Sequence, residues 1–237
     1  MSEELTITID GKPCTCERGE YLYDIAKRNG IFIPTMCRND EIPEHRASCR
    51  LCIVEISEGG RTRIVTSCVY PVLRECEVRT STERVKSDRA MLLALLHVRA
   101  PQSDAIAQMN DALGDPSIEG FVTVDGEKCI ACGLCVQACD TLGASAISMI
   151  NNGTEKQVAP PFDMAPKPCI GCLNCARVCP VDAIPYEEDE YVRSIWNRNF
   201  TIAYCESCGK AIGTAAEVVH RAHENGEDVR FLCDDCK

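Results

Sequence analysis

Aromatic residues are scarce in this 237-residue chain: Phe, Trp and Tyr together make up 5%, with a single tryptophan. So few large rings limit each hydrophobic core, and something besides apolar burial must help hold the fold. Long hydrophobic runs are also missing. None approaches the roughly eighteen residues needed to span a bilayer, so no direct membrane insertion is expected. Positive charge is in short supply: 25 Lys+Arg against 36 Asp+Glu give a net charge of -11, which argues against a nucleic-acid partner. There is no G-x-G-x-x-G, P-loop, nucleophile elbow or H-E-x-x-H, so no catalytic residues are expected. The amino terminus has no charged start followed by an apolar stretch and a cleavage site, and a reducing cytoplasm is the expected compartment.

Cysteine is abundant, with nineteen in the chain. Eight fall into two copies of one spacing, Cys129-x2-Cys132-x2-Cys135-x3-Cys139 and Cys169-x2-Cys172-x2-Cys175-x3-Cys179, displaced by forty positions. This is the ligand run of a bacterial two-cluster 4Fe-4S ferredoxin; the second copy ends Cys179-Pro180 as that form requires, while the first ends Cys139-Asp140. Three cysteines spaced this way in a tight loop reach three corners of one cubane. The fourth lies a helical turn on and points at the other cluster. The expected ligands are therefore Cys129, Cys132, Cys135 and Cys179 for the first cluster, and Cys139, Cys169, Cys172 and Cys175 for the second. Gly133 and Gly171 suit loops whose amides must approach sulfur closely. Structural thiols or two zinc sites are the competing readings, and neither explains the register of the repeat. Ligation should carry much of the folding energy.

The first third has a different pattern. Thr6-Ile7-Thr8-Ile9 alternates at period two, Asp10-Gly11 is a hairpin turn, and Lys12 to Cys16 returns as a second strand. Tyr21 to Asn29 reads as a helix stopped by Gly30, with a short strand from Ile31 to Ile33. Leu51 to Ile56 and Arg63 to Thr66 read as strands around Glu58-Gly59-Gly60. A hairpin, a helix and further strands make a small β-grasp domain. Within it, Cys37-x11-Cys49-x2-Cys52-x15-Cys68 keeps the ligand order of a plant-type 2Fe-2S site with a longer first gap. Zinc is the alternative for these four cysteines. His45, inside that gap, reads as a solvated loop residue.

This arrangement resembles the N-terminal ferredoxin domain shared by the large iron-sulfur subunit of respiratory complex I, iron-only hydrogenases, and the diaphorase ferredoxin subunit of NAD-linked nickel-iron hydrogenases. Ser67-Cys68-Val69-Tyr70-Pro71-Val72 and Val78-Arg79-Thr80 look like that family's segment after the last ligand. The resemblance covers about residues 1–80 and 119–186. It implies an additional cluster in the form H-x3-C-x2-C-x5-C between the two regions. No cysteine lies between Cys76 and Cys129, so that cluster is expected to be absent and His97 to be a surface or helix-end residue. Thr80-x-x-Glu83 reads as a capping box opening a helix with a stripe of Val85, Leu92, Leu95 and Leu96, followed by a short helix from Ser103 to Leu113.

The tail carries Cys205-x2-Cys208-Gly209 and Cys233-x2-Cys236 around a helical stretch, Thr214 to Asn225. Two such knuckles close a four-cysteine, zinc-ribbon-like site. Zinc leads, with a single iron or a further iron-sulfur cluster as alternatives. Residues 191–237 hold six Lys+Arg against seven Asp+Glu, which disfavours a nucleic-acid finger. His220 and His223 read as a solvated helix face. Cys14 and Cys16 read as packing residues, and Cys76 has no evident role.

The expected architecture is α+β: a β-grasp 2Fe-2S domain at 1–80, a helical bridge at 81–118, a two-cluster 4Fe-4S domain at 119–190 and a metal-binding tail at 191–237. Its cofactors would be one 2Fe-2S cluster, two 4Fe-4S clusters and one zinc. Such a chain conducts single electrons and is not itself catalytic. The resemblance implies a flavin-bearing NAD(H) subunit on one side and a hydrogenase or formate-dehydrogenase-like catalytic subunit on the other. Ferredoxin would be a third partner if the assembly bifurcates electrons. The alternative is a free-standing or regulatory iron-sulfur protein whose tail docks a partner.

Overall fold

The computed structural model describes residues 4–42, 47–115 and 128–237; His45 and the segment 116–127 lie outside them. The chain divides into two compact units, Met1–Cys132 and Gly133–Lys237.

In the first unit, β1 (Glu4–Ile9) and β2 (Lys12–Glu17) form an antiparallel hairpin. Asp10 and Gly11 turn it with φ of 47° and 81°, the double positive φ that a two-residue hairpin loop needs. Helix α1 (Leu22–Arg28) buries Leu22, Ile25 and Ala26. The strand expected at Ile31 to Ile33 does not form. The chain there pairs with no other strand, and it exposes Phe32 (77%) while burying Ile33. Next come β3 (Ile53–Glu58) and β4 (Arg61–Thr66), then β5 (Glu77–Arg79), a strand with no sequence signal. Among the described residues these build one sheet in the order β2-β1-β5-β3-β4, with β5 parallel to β1 and antiparallel to β3. Its core gathers Ile7, Ile9, Cys14, Cys16, Leu22, Ile25, Val54, Ile56 and Val78.

Helix α2 (Glu83–Arg99) is capped by the Thr82 hydroxyl, which accepts from the Val85 amide. The expected cap at Thr80 is corrected, because that hydroxyl donates to the Asp10 carboxylate at 2.6 Å. The buried face is also rotated from the expected stripe: Val85, Arg89, Ala90 and Leu93 are buried, and Leu95 is exposed. Helix α3 (Asp104–Leu113) packs on α2, with the Ser103 hydroxyl accepting from the Ile106 amide.

In the second unit, α4 (Leu134–Thr141) leads to the hairpin β6 (Ser148–Ile150) and β7 (Gln157–Ala159), then to α5 (Asn174–Arg177). β8 (Tyr186–Glu188), β9 (Val192–Ile195), β10 (Arg198–Tyr204) and β11 (Ala211–Thr214) form an antiparallel meander. Helix α6 (Ala215–Asn225) packs on β10 and β11 and opens with a complete capping box from Thr214 and Glu217. His220 is not on a solvated face, since its Nε2 donates to the Leu142 carbonyl at 2.6 Å, whereas His223 is exposed. Among the described residues no helix is long and apolar enough to cross a membrane.

Candidate iron-sulfur and metal centres

Cys37, Cys49, Cys52 and Cys68 are all buried, at 4%, 4%, 0% and 1% exposure. Cys52 immediately precedes β3, and Cys68 lies in the turn that leaves β4. Since Ile53 pairs with Thr66, these two cysteines meet at one end of the hairpin. The Ser67 amide and hydroxyl both donate to the Cys52 carbonyl, at 3.1 and 2.7 Å. The loop that supplies Cys49 holds Ala47 and Arg50 at positive φ (50° and 59°), a strained backbone of the kind found where side chains must converge.

The sulfurs interact in pairs. The Cys37 thiol donates to Cys49 and the Cys68 thiol to Cys52, which pushes Cys37 and Cys68 up and holds Cys49 and Cys52 below the ordinary thiol range. The Met36 amide donates to the Cys49 sulfur at 3.4 Å. Next to Cys37, Arg38 is ion-paired with Asp24 and stacked on Tyr23 (4.7 Å), yet its Nε and Nη1 are buried without a partner. Four convergent sulfurs with orphaned donors beside them fit an anionic thiolate-bound group. Behind them, Arg89 of α2 donates to the carbonyls on either side of Cys52. Burial pushes its guanidinium down, and the Cys52 sulfur opposes that shift.

In the second unit, Cys139, Cys169, Cys172 and Cys175 line one small cavity together with Ile147, Leu173, Ile195 and Trp196. The Ala146 amide donates to the Cys139 sulfur at 3.2 Å, and the amides of Gly171 and Asn174 donate to Cys169 and Cys172. Burial pushes the thiols of Cys169, Cys172 and Cys175 up, the last to about 11, while the Trp196 indole opposes the shift at Cys175. An apolar pocket that disfavours bare thiolates, with N–H donors aimed at the sulfurs, fits a cluster whose iron supplies the missing positive charge. Gly171 has φ of +73°, and a Cβ there would lie 2.7 Å from the Phe200 ring of β10. Arg198, on the same strand, donates to the carbonyls of Pro166, Lys167 and Cys169 at 2.7 to 2.8 Å. The meander thus braces the second cysteine loop. Trp196 and Arg198 escaped the sequence reading, although the lone tryptophan beside two cysteine-rich segments was a usable signal.

Of the other set, Cys129 and Cys132 close the first unit, while Cys135 and Cys179 belong to the second. The Ala131 amide donates to the Cys129 sulfur and the Ala183 amide to the Cys179 sulfur, each at 3.3 Å. The Ser48 hydroxyl, one residue before Cys49, donates to the Cys132 carbonyl at 3.1 Å.

In the tail, the sulfurs of Cys205, Cys208, Cys233 and Cys236 all lie within 4.8 Å of one another, with Cys208 and Cys233 3.6 Å apart. Backbone amides of Cys233, Cys208 and Ser207 hold the Cys205 thiol low. Gly209 takes φ of +72° so that its amide reaches the Cys205 carbonyl at 2.8 Å. A tetrahedral ion with bonds of about 2.3 Å has sulfur-sulfur edges of about 3.8 Å, which this spacing fits. Cys14 and Cys16 are buried in the core of the first unit, and Cys76 packs against that core.

Fold and cysteine sets together have the arrangement that iron-sulfur cluster ligation requires. Residues 2–83 match the 2Fe-2S iron-sulfur cluster binding domain family, and residues 122–186 match the 4Fe-4S dicluster domain family. The chain is 32% identical over 218 residues to the NADP-reducing hydrogenase subunit HndD of Solidesulfovibrio fructosivorans, covering 79% of this chain and 37% of that protein. It is 26% identical over 258 residues to the NADPH-Fe(3+) oxidoreductase subunit alpha of Geobacter sulfurreducens (strain DL-1 / KN400), covering 98% of this chain and 29% of that protein. The chain therefore spans well under half the length of these curated relatives. A crystal structure of an NAD+-reducing NiFe hydrogenase in the H2-reduced state shares the fold, with a TM-score of 0.63 at 24% identity, covering 76% of this chain and 86% of that one. The chain thus carries two segments that match iron-sulfur cluster binding domain families, and it is similar to part of NAD(P)-linked hydrogenase and oxidoreductase subunits.

Proposed function

We propose that this chain relays single electrons through one 2Fe-2S and two 4Fe-4S clusters within an NAD(P)-linked oxidoreductase assembly in the cytoplasm. A bound iron-sulfur cluster supplies one-electron redox chemistry. The chain's own residues hold the sulfurs, aim N–H donors at them and exclude water. Cys37, Cys49, Cys52 and Cys68 are the 2Fe-2S ligands, carried on a β-grasp domain of about residues 1–80. After the helical bridge of 81–118, Cys129, Cys132, Cys135 and Cys179 bind one 4Fe-4S cluster, and Cys139, Cys169, Cys172 and Cys175 bind the other. Cys205, Cys208, Cys233 and Cys236 form a zinc-ribbon-like clip.

One observation carries this reading: Cys139, the last cysteine of the first run, lines the same cavity as the three leading cysteines of the second. This placement supports the crossed ligation of a two-cluster ferredoxin. The partners are a flavin-bearing NAD(H) subunit and a hydrogenase or formate-dehydrogenase-like catalytic subunit, with ferredoxin a third in a bifurcating assembly. The names of the relatives support this pairing.

The test is iron, sulfide and zinc per chain on anaerobically purified protein, with EPR of the dithionite-reduced sample. The expected result is about ten irons, about ten sulfides and one zinc. In Cys139→Ser, only the cluster of the second cysteine run should be lost or altered. Loss of the other 4Fe-4S signal instead would overturn the crossed assignment.

A further inference from the structure

Arg89 sits in the middle of α2 with 6% exposure. Its Nε donates to the Leu51 carbonyl at 3.1 Å, and its Nη2 donates to the carbonyls of Ile53 at 2.8 Å and Thr80 at 3.3 Å. Leu51 and Ile53 flank Cys52, whose own carbonyl is taken by Ser67. Three consecutive carbonyls are therefore pinned around one proposed ligand. Every hydrogen-bond partner of Arg89 is neutral, and among the described residues no carboxylate pairs with it. The other buried arginine of this region, Arg38, is by contrast paired with Asp24.

A guanidinium does not lose its proton in proteins, so burying one without an opposite charge is costly. A strut between helix and sheet needs only a donor and leaves that charge unexplained. The Cys52 sulfur is the ionisable group that acts on Arg89 electrostatically. Four thiolates around two ferric ions and two sulfides leave a net negative centre, and one added electron makes it more negative.

We propose that Arg89 is the fixed counter-charge of the centre held by Cys37, Cys49, Cys52 and Cys68, a positioning residue that locks the Cys52 loop and raises the centre's reduction potential. This rests on the assignment of those four cysteines to a 2Fe-2S cluster. The step it governs is uptake of one electron from a reductant. No bond forms or breaks, and no proton moves at Arg89, which is already protonated. A fixed cation stabilises the more negative, reduced form.

The experiment is a redox titration of the full chain with dithionite, followed by the 2Fe-2S EPR signal, with iron and sulfide per chain measured alongside. Arg89→Gln should keep the signal and shift its midpoint to more negative potential, with both 4Fe-4S midpoints unmoved. Arg89→Lys, which keeps the charge, should lie closer to wild type. An Arg89→Gln protein that is fully loaded with an unmoved midpoint overturns the proposal, as does an equal shift in Arg89→Lys. If Arg89→Gln fails to load iron, Arg89→Met of similar length is titrated in its place. If neither neutral variant loads, loading of Arg89→Lys supports the counter-charge, and its failure makes Arg89 a strut and overturns the proposal. The underlying assignment fails separately if Cys52→Ser leaves the 2Fe-2S signal intact.

Discussion

Four sulfurs converge around Cys52 and four more around Cys208, and the two sets are built in opposite ways. The first is set into a finished scaffold: Cys52 and Cys68 are themselves members of a hydrophobic core that runs through four strands and a helix. The second joins the loop between β10 and β11 to residues 227–237, which have no helix or strand of their own. Cys208 is exposed, and the backbone bond from Glu206 to Phe231 at 2.8 Å is one of the few tying the two knuckles together. The difference separates two uses of cysteine ligation. Around Cys52 the protein fold positions the sulfurs, whereas around Cys208 the proposed ion would position the protein.

The strongest way to break this contrast is to strip the metal. Structural zinc contributes about 10–16 kcal/mol to small finger peptides, so a strong chelator should release the tail. Hydrogen exchange should then show amides 205–210 and 231–236 losing protection while those of β1 and β3 keep theirs. Equal loss in both regions would make the first set as metal-dependent as the second. In the converse experiment, Leu22→Ala should cost about 2–5 kcal/mol by opening a cavity in the first core. Denaturant unfolding would measure it, with zinc content unchanged.

A smaller effect is expected at Thr214, which is fully buried, caps α6 and donates to the Ile170 carbonyl. Thr214→Ala should cost about 1–2 kcal/mol and loosen the second unit ahead of the first, read by site-resolved exchange. The smallest concerns Cys76, whose thiol burial pushes up to about 11. At pH 8 its alkylation should run about a hundredfold slower than that of an unfolded cysteine. Because the folded state favours the protonated thiol, the stability this group contributes falls as pH rises past the free thiol value of about 8.5. Mass spectrometry of iodoacetamide-treated native and unfolded chain would measure the difference.

Legibility in the sequence followed the range of the interaction. The hairpin at Asp10-Gly11 and the helix before Gly30 are local events and were readable to within a residue or two. β5 was invisible because its three residues carry no pattern and both of its partners lie far away in sequence. Ile31 to Ile33 shows the reverse failure, with three consecutive β-favouring residues present and no strand paired with them. The Thr80 hydroxyl was expected at a helix cap, but a partner seventy residues away holds it. Arg89 was passed over because arginine is read as surface. Its spacing of four from both Val85 and Leu93 was the available sign that it shares their buried face.

β5 also imposes an order on biosynthesis. The two hairpins of the first unit close through near neighbours, yet among the described residues they join into one sheet through β5, whose parallel pairing with β1 spans nearly seventy residues. Such long closures are the slow step in folding. All four sulfurs around Cys52 leave the ribosome before the strand that unites their scaffold. A nascent chain thus presents the thiols first and the finished cradle later, and a cluster delivered too early would meet two unattached hairpins.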